Sequence, residues 1–127
     1  MNRAKIILIW VIGIMFILTG ISKLAHLDAM SAEMFERAQL PSLLYYAVAA
    51  FELIGGILFI TAKTRQYGAF LIIIVMMGAI STHIYLHDNL AHIIVPILII
   101  FFAGWLIVKA KKDTINCIIN IVSLANL

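Results

Sequence analysis

Charge is scarce in this 127-residue chain: 12% of its residues are Asp, Glu, Lys or Arg, against 65% that are hydrophobic. A water-soluble domain of this length needs more polar surface to cover its core, so the exterior is expected to face lipid. Cysteine is scarcer still. Cys117 stands alone, which excludes an internal disulfide, a Cys-x-x-Cys pair and dithiol exchange within one chain. Proline occurs only at Pro41 and Pro96, so little interrupts long helices. The length leaves room for one domain.

What the chain has in abundance is apolar runs. Four of them, at about 6–22, 43–61, 67–86 and 90–108, approach the ~20 residues that cross a ~30 Å hydrocarbon core at ~1.5 Å per residue. Lipid offers no partner to a lone strand's backbone, so each run is expected to be a helix. The fold expected is an all-α membrane protein, a four-transmembrane-helix bundle occupying residues 1–127 as a single transmembrane domain. Arg3 and Lys5 precede the first run, as charges precede a signal peptide. That run is nonetheless long for a cleavable segment and no convincing small-x-small site follows it, so it reads as a span.

The net charge of +3 and the pI of about 9.2 do not point to nucleic acid, because the basic residues flank apolar runs and form no face of their own. Arg3, Lys5, Lys63, Arg65, Lys109, Lys111 and Lys112 fall on one side of the four spans, and only Lys23 and Arg37 on the other. The positive-inside rule then places both termini in the cytoplasm and the chain in the cytoplasmic (inner) membrane. Between the first two spans, Leu27, Met30, Met34 and Ala38 recur at helical spacing, with Asp28 or Ser31 as caps. A short amphipathic helix is expected there, ended by Pro41. The tail at 113–127 is apolar but too short to span. An interfacial helix and a contact with another chain both account for it.

Ionisable groups inside a span each need a reason, at about 2.5–3.5 kcal/mol on insertion scales. Glu52 lies mid-span, with Tyr45, Ala49, Gly55 and Gly56 on its face, so it is expected to face the bundle interior, where small residues admit another helix. Lys23 ends the first span on a stripe with Gly13, Phe16 and Gly20. His83 lies in the outer part of the third, roughly 10 Å from Glu52 in depth, too far for a direct bond. Pro96 leaves the His92 carbonyl without its helical partner. These placements suggest one pocket with Glu52 as acidic floor and Lys23 and His83 as basic rim, in which Lys23, Glu52, His83 and Tyr45 bind a flat small molecule such as a quinone. The structural alternative has Glu52 pinning helices by bonding Tyr45, Ser81 or Thr82. His83, His87 and His92 are a minor metal hypothesis, resting on the i, i+4 spacing of His83 and His87.

Four segments resemble the DoxX-like family of four-helix membrane proteins. They are 16–24 with Gly20 and Lys23, 52–58 with Glu52, Gly55 and Gly56, Arg65 at the inner turn, and 78–83 ending in His83. Ala62 stands where the family often has glycine. The resemblance implies kinship with the membrane subunit of a thiosulfate:quinone oxidoreductase and with systems of oxidative stress or quinone detoxification. It also marks Lys23, Glu52, Arg65 and His83 as functional or fold-critical, and Gly20, Gly55 and Gly56 as packing positions. An accessory subunit that binds a quinone or other small molecule beside a soluble oxidoreductase is the favoured reading. A non-enzymatic scaffold or assembly factor, whose bundle and tail grip a partner protein, is the other; the partners expected are a soluble oxidoreductase or further copies in a homo-oligomer. Solute transport is disfavoured by the short chain, which lacks repeat symmetry.

Overall fold

The computed structural model describes residues 2–127, which are helical throughout apart from short connections. Helix α1 covers Arg3–Leu24, α2 Ala29–Arg37, α3 Ser42–Ile60, α4 Arg65–Tyr85 and α5 Ala91–Ala125. Helices α1, α3, α4 and α5 are each long and apolar enough to cross a membrane. The chain is thus a helical multi-pass membrane protein. Its outward residues agree: Trp10, Leu18, Phe51, Phe70, Ile74, Phe101 and many others are exposed. In water such a surface would aggregate; in lipid it is the solvent-facing side.

The spans pack in chain order, α1 on α3, α3 on α4 and α4 on α5. Ile9, Phe16, Phe59, Ile72, Ile99 and Leu106 form a common core to which all four spans contribute. Two glycines set the approach of α1 to α3. A Cβ on Gly20 would lie 2.8 Å from the Ala49 carbonyl oxygen, and one on Gly56 2.7 Å from that of Gly13. Helices α1 and α3 therefore touch backbone to backbone, antiparallel, with 13 facing 56 and 20 facing 49. Gly55, one residue round the helix, faces α4 instead, against Leu71. Arg65 ties the turn between α3 and α4, donating from Nε to the Phe59 carbonyl (3.1 Å) and from Nη2 to that of Ile60 (3.3 Å). These are carbonyls that the end of α3 leaves without helical partners.

The short helix expected between the first two spans is α2. Asp28 caps it by accepting from the Ser31 N–H at 3.0 Å, and its last turn ends before Pro41. Three helices end on a residue with positive φ that is not glycine: His26 after α1, Gln39 after α2 and His87 after α4. Each turn is closed by a bond from the next N–H to a carbonyl five residues back, as between Asp88 and His83.

One boundary departs from the expectation. The tail is no separate segment: α5 runs unbroken to Ala125, through Pro96 and through 109–113. Lys109, Ala110, Lys111 and Lys112 are all strong helix formers, so the cationic stretch that ends the apolar run does not end the helix. At ~1.5 Å per residue α5 is about 52 Å long, well beyond a ~30 Å core, and 111–127 is exposed throughout.

Candidate functional site

Lys23 and Glu52 face each other across the α1–α3 seam. In the glycine-set register Lys23 stands roughly 9 Å nearer the α2 end than Glu52. Helical side chains lean toward their own N-terminus, and in antiparallel helices that brings these two together. The Lys23 Nζ donates to both carboxylate oxygens, at 2.6 and 2.7 Å, and both side chains are buried. Tyr45 and Ala49 lie buried on the same face of α3. Tyr45 packs edge-on against Phe35 of α2, its ring centre 5.3 Å away. No buried side-chain nitrogen or oxygen among the described residues lacks a partner. The pair is closed: each charge already holds its counter-charge.

His83 belongs to a different group. Its Nδ1 lies 3.0 Å from Asp88 Oδ2, and since an ionised carboxylate only accepts, Nδ1 carries the proton and Nε2 is left for another partner. The turn at His87 makes this contact. Its positive φ of 54° reverses the chain after α4 and lays Asp88 back over the helix end, where its N–H also bonds the His83 carbonyl at 3.0 Å. Arg37 of α2 donates to the other Asp88 oxygen at 3.2 Å. The His92 ring stacks on that of His83, centres 5.5 Å apart and planes 15° from parallel. Hydrogen bonds from His83 and then Arg37 hold the Asp88 carboxyl below its usual range. Met30, Met34 and Arg37 of α2 join His83, Asp88 and His92 around a cleft of about 330 Å³.

The single vestibule expected from the sequence is therefore divided. Lys23 leans away from the rim to meet Glu52, and neither lines the His83 cleft. Tyr45 lines a third hollow, on the other side of α2, with His26, Phe35 and Tyr46. Glu52 bonds none of the partners the structural alternative proposed: Ser81 and Thr82 donate to carbonyls of their own helix, at Met77 and Gly78. The i, i+4 relation of His83 and His87 is lost because α4 ends at Tyr85, leaving His87 beyond the cap. No set of three His, Cys, Asp or Glu side chains among the described residues is placed to hold a metal ion.

The family model named DoxX matches residues 5–88, from the start of α1 through the turn that carries Asp88. The chain belongs to the DoxX family. The match takes in Lys23, Glu52, Arg65, His83 and Asp88, and stops before His92 and all of α5. No curated protein and no solved structure matches the chain. Within the DoxX segment, Arg37 and the two α2 methionines are site residues that sequence reading passed over. Their signal was the spacing Met30–Met34–Arg37, which puts all three on one face of a capped helix.

Proposed function

We propose that this DoxX protein is an accessory membrane subunit that binds a flat, oxygen-bearing small molecule, a quinone in the first instance, in the cleft between α2 and the outer ends of α4 and α5. The observation that carries the reading is the orientation of His83. Asp88 fixes one ring nitrogen and leaves the other free, beside a stacked His92 and two methionines. Thioethers make favourable contacts with planar rings. The free Nε2 accepts from a quinol hydroxyl when the imidazole is neutral, and donates to a quinone carbonyl when it is protonated. Arg37 holds α2 over the cleft through Asp88. On this reading the protein sits in the cytoplasmic membrane with both termini inside, following its Lys and Arg distribution. A soluble oxidoreductase would supply or take the electrons.

The scaffold reading keeps one observation of its own: α5 carries a long exposed stretch that meets nothing else in the chain. The two readings part in a direct measurement. Protein in lipid nanodiscs, labelled with 15N-histidine, is titrated with a short-tailed ubiquinone. Binding at the cleft shifts the His83 ring resonances saturably, and Asp88→Asn weakens that binding. Resonances that stay unmoved at saturating quinone leave only the scaffold.

A further inference from the structure

The end of the bundle that carries the termini holds a second built cavity, of about 280 Å³, between α1, α4 and α5. Its rim is Lys5, Arg65, Gln66, Lys109 and Asp113, and Leu106 lines its apolar part. Three cations against one carboxylate leave an excess of two positive charges. Lys5 is the unexpected member. A lysine in the first turn of a membrane helix ordinarily extends its ammonium outward to water. Here Lys5 is 9% exposed and turned inward over the Trp105 ring, its Nζ 4.2 Å from the ring centre. Lys109 lies over the same indole at 5.4 Å. Two ammonium groups thus share one indole ring, and no carboxylate among the described residues forms an ion pair with either. Arg65, tied to the end of α3 by two carbonyls, brings a third fixed positive charge to the same rim.

Like charges gathered at a half-enclosed site call for an anion. The apolar part of the cavity lies against α4 and α5, while its rim sits at the starts of α1 and α4 and where the apolar run of α5 gives way to lysines, so the anion belongs at the boundary between hydrocarbon and water. Trp105 is the residue type that marks this level. We propose that this cavity binds the headgroup phosphate of an anionic phospholipid, seated between Lys5, Lys109 and Arg65, with its acyl chains along the exposed apolar faces of the neighbouring spans. Basic pockets between membrane helices are suited to such headgroups. The site lies at the opposite end of the bundle from the His83 cleft and is independent of what that cleft binds.

Trp105 is its own reporter. Trp10→Phe protein, whose remaining tryptophan is Trp105, is placed in nanodiscs of phosphatidylcholine with rising fractions of phosphatidylglycerol. The expected result is a saturable change in Trp105 emission. Lys109→Gln should raise the half-saturating fraction about fivefold, and Lys111→Gln, whose side chain lies outside the cavity, should leave it unchanged. Lys109 is exposed, so its replacement leaves the fold intact, which far-UV circular dichroism verifies. Equal effects of the two lysine variants would mean diffuse surface attraction and overturn the site. So would emission that ignores phosphatidylglycerol. A change saturated by inorganic phosphate alone in pure phosphatidylcholine would overturn the lipid assignment in favour of a free anion.

Discussion

At the scale of single residues, the polar side chains divide into those that are closed and those with a valence to spare. Lys23 and Glu52 are closed. Removing one partner strands the other charge in a dry seam, so Lys23→Met or Glu52→Leu alone should cost about 3–5 kcal/mol, whereas the double variant should recover most of it. Thermal unfolding of all three proteins in one detergent tests this. Asp88 is held by His83 and Arg37. Its carboxyl is depressed in the folded protein, so its contribution is fully present above the ordinary Asp value of 3.8 and is lost as pH falls through the lower folded value. Hydrogen exchange of the α2 amides should accelerate in that acid window, and Asp88→Asn should abolish the pH dependence. His87 carries the positive φ that places Asp88. His87→Gly keeps the turn and relieves its strain, so the melting temperature should hold or rise, by an amount worth up to about 1 kcal/mol.

At the scale of elements, the α1–α3 seam is a demanding contact. Gly20 and Gly56 each admit a carbonyl where a methyl would stand. Gly56→Ala must push the helices apart and should cost about 1–3 kcal/mol in unfolding experiments. It should also loosen the Lys23–Glu52 pair, which rides on the same register. The last half of α5 is the converse case. Residues 114–127 are exposed and pack on no other helix, so deleting them should leave the melting temperature of the bundle unchanged. These elements also show what could be read beforehand. Four spans, the capped α2 and the role of small residues were legible, because each rests on local periodicity or composition. The continuity of α5 was not, since the apolar run stops at Val108 but helix propensity does not.

At the scale of the whole molecule, one antiparallel register decides which polar residues meet. Glu52 was readable as interior from its neighbours Ala49 and Gly56. Its partner was not, because depth counted at the α-carbons ignores the lean of each side chain, and that lean spans the offset between Lys23 and Glu52. His83 was readable as unusual, but its partnership with Asp88 depends on a left-handed residue that the sequence marks with no glycine. The outcome is a bundle with a locked middle and an open polar group at each end: His83, Asp88 and His92 beneath α2, and the cationic rim around Trp105 beside the termini. Placing the ligand at the His83 cleft and away from the locked pair is the central claim.

Binding of a short-tailed ubiquinone, measured on two variants side by side, tests that claim most directly. The Lys23→Met/Glu52→Leu double variant should bind it as the parent does, and His83→Gln should lose most of the affinity. Unchanged affinity in His83→Gln, with binding abolished in a still-folded double variant, would contradict the account and return the site to the middle of the bundle.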